Sequence, residues 1–334
     1  NWTEISASAA FDARGDHRLV VFDNALYLLG GKTAGGFQFD DIWRSDDGLN
    51  WSEQPLVPNF PELDYVKTDK SLLLFNNQLH ILTNDQQVSG YYSAWRSSDG
   101  LLWEAYQSRI SSDWNPFVYN QKIWFYGVNN STLKLYSSTD TIGEQTAVTE
   151  ESSQTYPDRS AILSVIDGQK TLFNDRVWLF EERFAGTDYT SVLSAKTDNL
   201  ASWEQLLNAD DKPGYDWASG QQVDVVEHNN QLWLFKQHGV LVSDDGINWQ
   251  AKTLSAVGED LTAYRAASFQ NKLWIIGGYT DYNEFSKTGT AQNAIWSSTD
   301  GETWQKEVET APFGERVSHS LAVFDNKLWL VGGV

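Results

Sequence analysis

Within 334 residues, 45 Asp and Glu stand against 24 Lys and Arg, a formal charge of −21. Such a surface repels phosphate backbones and anionic lipid, which argues against nucleic-acid and membrane-surface roles. The absence of Cys excludes a disulfide framework, a thiolate metal site and a thiol nucleophile, and the mean hydropathy of −0.45 argues against membrane insertion.

In chain order, Asn1-Trp2-Thr3-Glu4 has the same form as Asn50-Trp51-Ser52-Glu53, which starts the fourth strand of the first repeat unit. Within that unit Leu19–Phe22 reads as a short buried strand, Asp23-Asn24 as a tight turn and Ala25–Leu29 as the next strand, closed by Gly30-Gly31. A third strand follows at Asp41–Ser45, and Asp46-Asp47-Gly48 turns the chain. Asx-Gly pairs between apolar runs predict two-residue hairpins, because both turn residues accept positive φ. The same turn recurs at Asp99-Gly100, Asp245-Gly246 and Asp300-Gly301, each followed at the same offset by a Trp: Trp103, Trp249 and Trp304.

The hairpin of the first two strands also recurs, beginning at Phe22, Phe75, Tyr119, Phe173, His228, Phe269 and Phe324, with a period of roughly fifty residues. This content predicts an all-β array of four-stranded units, a seven-bladed β-propeller forming one domain over residues 1–334. The expected blades span about 18–54, 70–107, 114–150, 160–207, 221–254, 264–307 and 316–334 plus 1–6. The last is thus shared between the two ends of the chain, with no third strand of its own. Lacking Met, the chain reads as a processed product or an excised domain, so other domains of one precursor count among its expected partners.

Hydrophobic run, Gly-Gly, Asp-Ile-Trp43 and a second Trp51 eight residues on resemble the kelch repeat of galactose-oxidase-like propellers, in particular a bacterial variety with Ser-x-Asp-Gly-x-x-Trp turns. The likeness covers essentially the whole chain and is weakest in the third and fourth units. It implies that the loops leading into first strands, with those after Gly-Gly, line the binding face. Copper chemistry of the galactose oxidase kind is not inherited, since it needs a Cys-modified Tyr, and the five His show no ligand spacing. No cofactor or metal is expected.

All Trp except Trp114 and Trp217 fall on repeat strands and are read as packing between blades. Those two lie in loops before first strands, as do Arg14, Tyr65, Arg159, Tyr215, Tyr264, Arg265 and Arg316. Aromatic faces with guanidinium donors suit a saccharide, whose apolar ring face stacks while its hydroxyls or carboxylate take directed hydrogen bonds. These nine are the candidate ligand-binding residues. Arg14-x-x-His17 and Arg316-x-x-His319 also read as an equivalent packing pair in adjacent blades. The loops Lys32–Asp40 and Tyr279–Asn293, the second carrying Tyr282, Phe285 and Lys287, are further candidates. The expected function is recognition of a glycan or acidic saccharide by a secreted or cell-surface bacterial module. A protein-binding propeller is the alternative, and a carbohydrate-active enzyme the third reading.

Overall fold

The computed structural model describes residues 2–56, 60, 72–84, 91–111, 114–129, 132–138, 149–155, 169–182, 190–196, 200, 203–207, 224–236, 239–254, 256–258, 260–283, 286, 288–308 and 311–334. All regular structure among them is β. Six four-stranded antiparallel sheets follow one another, each a meander whose strands lie in sequence order, the form of a β-propeller blade. The first is Arg18–Phe22, Ala25–Leu29, Ile42–Ser45 and Ser52–Glu53. The second begins at Leu72, the third at Asn115, the fourth at Gln169, the fifth at Asp224 and the sixth at Arg265. A terminal hairpin, Ser320–Phe324 with Lys327–Val331, forms a two-stranded sheet. The chain divides into two compact units: Asn1–Asp16 with Gln169–Ser194 and Gln205–Val334, and His17–Gly168 with Ala195–Glu204.

The hairpins follow directly from sequence. Both residues of the turn have positive φ in all seven copies: Asp23-Asn24, Asn76-Asn77, Asn120-Gln121, Asn174-Asp175, Asn229-Asn230, Gln270-Asn271 and Asp325-Asn326. This is the primed turn whose twist matches that of the strands, and Asn and Asp tolerate it best among residues with a side chain. The aromatic residue before the turn is then locked. Trp124, Trp178, Trp274 and Trp329 each donate the indole N–H to the carbonyl of the aromatic residue five positions earlier, at 2.9 to 3.1 Å.

The Ser-x-Asp-Gly turns depart from the expectation of two-residue hairpins. At Asp46-Asp47-Gly48 and its three sisters only the Gly has positive φ. The Asp47 carboxylate instead accepts from the N–H groups of Leu49 and Asn50, and the Gly48 N–H donates to Ser45 Oγ. Asp245 and Asp300 repeat these bonds. The result is a capped loop, in which one carboxylate satisfies successive backbone donors. The trailing Trp is tied in as well, since Trp249 and Trp304 donate to the carbonyls of Gly246 and Gly301.

These loops are also where one sheet meets the next. A Cβ at Gly100 would collide with the Tyr27 ring, one at Gly246 with Trp178 and one at Gly301 with Trp233. Tyr27, Trp178 and Trp233 are consequently no more than 2 % exposed. Burying a Trp ring removes roughly 150–250 Å² from water, about 4–6 kcal/mol at ~25 cal/mol/Å² before entropic costs. Sheet-to-sheet packing of this kind occurs in both units, at Gly100 in one and at Gly246 and Gly301 in the other.

The N-terminal segment does not form the fourth strand expected of it. Residues 2–4 carry no strand, and Trp2 is held by packing alone, edge-on to Trp274 at 6.0 Å and to Phe313 at 6.4 Å. Backbone bonds nearby join this segment to the terminal hairpin: Gly333 N–H to Arg14 O, and Asp16 N–H to Ser318 O.

Candidate functional site

Among the described residues, the position just before a first strand is filled by packing. His17, Tyr264 and His319 occupy it at 3 %, 4 % and 2 % exposure. The Tyr264 hydroxyl donates to the Lys236 carbonyl at 2.7 Å, and a Cβ at Gly277 would press on the His319 ring. Trp114 stands at the same position in the third sheet. It lies flat on Tyr136, centroids 3.9 Å apart at 16°, and fills the space that a side chain at Gly127 would need. Tyr264 is thus engaged in packing, and Trp114, still partly exposed, is engaged on the side of Tyr136.

The arginines are engaged too. Arg14 is 1 % exposed, donates Nε to the Asp12 carbonyl and covers the Phe11 ring at 5.6 Å. Arg316 repeats that pattern, with Nε to Gly314 O and its guanidinium 5.0 Å above Phe313, and adds a bond from Nη1 to Gly332 O. Burial lowers its pKa, and Glu4 opposes that shift. Arg265 forms an ion pair with the buried Asp224 at 3.2 Å, and Asp224 also accepts from the Ala266 N–H at 2.7 Å, joining the fifth and sixth sheets. Tyr65, Arg159, Tyr215 and Trp217 lie outside the described residues, as do Phe285 and Lys287.

What remains available lies in the insertions between second and third strands. In the sixth sheet the insertion Tyr279–Asn293, a loop by its sequence, is itself a hairpin, Tyr279–Asn283 with Thr288–Ala291. Thr and Tyr on alternate positions were the signal for it. Its base is pinned from two sides: Tyr279 and Thr262 exchange backbone bonds of 2.7 and 2.9 Å, while Gln292 O accepts from the Arg316 N–H and Gln292 N–H donates to Gly278 O. Tyr279 and Tyr282 stack at 5.4 Å and 24°, both only partly buried. The Gln292 amide reaches the Thr280 hydroxyl at 3.0 Å. Two aromatic rings beside an amide and a hydroxyl make a surface fit for a ligand with one apolar and one polar side.

In the other unit the insertion Lys32–Asp40 is an ordered loop. The Thr33 N–H donates to Phe37 O, the Phe37 N–H to Thr33 Oγ1, and Lys32 bridges Gln38. Phe37 stands 68 % exposed, edge-on to Phe39 at 5.3 Å. His80 and His228 sit inside their sheets, and no group of three His, Cys, Asp or Glu suited to a metal ion occurs among the described residues.

The chain matches no protein-family model and no curated protein. Among solved structures 254 chains match. One, titled "Structure of YjhT", is 13 % identical, with 99 % of this chain and 93 % of that one covered and a TM-score of 0.48.

Proposed function

We propose that this protein is an extracytoplasmic recognition module, a seven-bladed kelch-type propeller that binds a glycan through the hairpin Tyr279–Ala291. The stacked pair Tyr279–Tyr282 carries this reading. Sugar rings present an apolar face to an aromatic platform, and their hydroxyls match the Gln292 amide and the Thr280 hydroxyl at its side. A neutral saccharide fits better than an acidic one, because the chain is strongly anionic and Arg14, Arg265 and Arg316 are already committed within the fold. Seven hairpins with the same turn support the count of seven blades, and the packing of Trp2 beside the terminal hairpin supports a shared last blade. Secretion or surface display fits the lack of Cys and the acidic surface.

The test is a glycan array probed with the wild type and Tyr282→Ala. A hit that loses at least about tenfold in affinity in the variant, with an unchanged melting temperature, supports the reading. Hits equally strong in both proteins would move the site elsewhere. A second reading, a protein partner, is favoured by Phe37, whose 68 % exposure is that of an anchor residue. Phe37→Ala should then abolish a protein interaction while leaving glycan hits untouched.

A further inference from the structure

The end of the first strand keeps one pattern through most of the molecule and breaks it in one region. The residue before the turn is Phe or Tyr in six of the seven copies, and the residue before that is Val or Leu in five. The exceptions are Glu227-His228 in the fifth sheet and Ser268 in the sixth, on first strands also joined by the Asp224–Arg265 ion pair. Neither polar residue is needed to make a hairpin, since both turns keep the paired positive φ of their sisters.

In space the exceptions meet. His228 Nδ1 lies 2.9 Å from Ser268 Oγ, within the reach expected of a nucleophile and its base. The Asn229 amide approaches Nε2 at 3.0 Å, and the Trp233 ring stands edge-on to the imidazole at 6.5 Å. With its oxygen turned to Nε2 the amide accepts the ring hydrogen, and Nδ1 then presents its lone pair to the hydroxyl. His228 is buried, whereas Ser268 is only partly so. Its register opens outward, because Leu74, Leu172 and Val323 hold the same position in other sheets and all are exposed. Burial lowers the His228 pKa, against a hydrogen bond to the Thr299 backbone, which keeps the ring neutral and able to take a proton near pH 7. Ser268 pairs with Leu273, at the far end of Lys272–Ile276 from the Tyr279–Ala291 hairpin, so this pair is separate from the saccharide surface.

We propose that Ser268, with His228 as its general base, is a nucleophile that accepts the acyl group of a carboxylic ester. The Ser268 O–H bond breaks and its proton passes to Nδ1, while Oγ bonds the carbonyl carbon. The ester C–O bond then breaks, and the leaving alkoxide takes the proton from the imidazolium and departs as an alcohol. A neutral ester suits the site better than a phosphorylated donor, because the chain carries a net charge of −21.

The test treats the intact chain with p-nitrophenyl acetate, reading nitrophenolate release by absorbance and acetylation by mass spectrometry after an acid quench. Trypsin releases Ala266–Lys272, in which Ser268 is the only hydroxyl, and acetylation of Lys272 would instead block that cut. Ser268 is expected to be acetylated at least about tenfold faster than any other serine. The rate should rise with pH to a plateau, with its midpoint below the ordinary histidine value of ~6.5. His228→Phe and Ser268→Val install the residues of sister hairpins, so both should fold. The first should slow acetylation at least about tenfold, and the second should abolish it. Three results would overturn the proposal: an unmodified Ser268 with no release above that of Ser268→Val, a rate that climbs with hydroxide without a plateau, or an unchanged rate in folded His228→Phe. If that variant fails to fold, the pH profile of the wild type decides alone.

Discussion

Gln231–Lys236 of the fifth sheet and Lys327–Val331 of the terminal hairpin both contain Leu-Trp-Leu behind the same Asn turn, yet they occupy different surroundings. Leu232, Trp233 and Leu234 are at most 2 % exposed, while Leu328, Trp329 and Leu330 are all partly open. Local sequence makes the hairpin in each case. Burial comes from a third strand on the outer edge and from the next sheet's Gly loop over the indole. A repeat of this kind is stabilised between units more than within them.

That contrast can be broken at the rings. Trp233→Ala should cost about 3–5 kcal/mol by equilibrium denaturation, as for other fully buried Trp. Trp329→Ala should cost less than half of that, and equal losses at the two sites would show that the loop and third strand add little. A titration sharpens the same point for His80, which stands where the sisters have Tyr27 or Trp and is 1 % exposed. Burial pulls its pKa down to about 4 against a hydrogen bond to the Phe75 backbone, with repulsion from Arg96 added. The folded value lies below the unfolded ~6.5, so stability is complete above that pH and falls as the pH drops towards 4. The loss should be on the order of 2–3 kcal/mol at pH 4, and His80→Phe should flatten this window.

Gly301→Ala should destabilise by about 1–3 kcal/mol, through positive φ and collision with Trp233. Gly314→Ala, with ordinary φ and open space at the Cβ, should be neutral or stabilise by up to about 1 kcal/mol. The smallest effect is expected in strong acid. The N–H groups of Thr303 and Glu302 hold the Asp300 carboxyl at about 2, and at Asp245 those of Asn248 and Ile247 reach about 2 although burial pushes the other way. The stability these loops contribute is present above about pH 4 and lost as the pH falls through 2. Asp300→Asn should reduce that late step in an acid-unfolding curve, and its persistence would show that the cap is dispensable.

The repeat was legible because its turns are chemical: Asn and Asp at paired positive φ, and Ser, Asp and Gly in a loop that one carboxylate caps. Much of the candidate site was not. Trp114 and Tyr264 look like ligand platforms in sequence because both sit in a loop beside a first strand. Only the packed structure shows that Tyr264, like His17 and His319, is buried and that Trp114 stacks on Tyr136. The hairpin Tyr279–Ala291 hid for the opposite reason, since its Asp, Asn and Gly residues dilute the strand signal of Thr and Tyr, and pairing alone makes it visible.

By itself, then, the sequence determined the all-β class and the paired positive-φ turn of each first hairpin, because those depend on φ preferences and on contacts a few residues apart. Tertiary structure decided which aromatic rings are spent on packing and which arginines are already paired. These depend on what the neighbouring sheet places against a side chain, and two Trp in identical local sequence meet different neighbours.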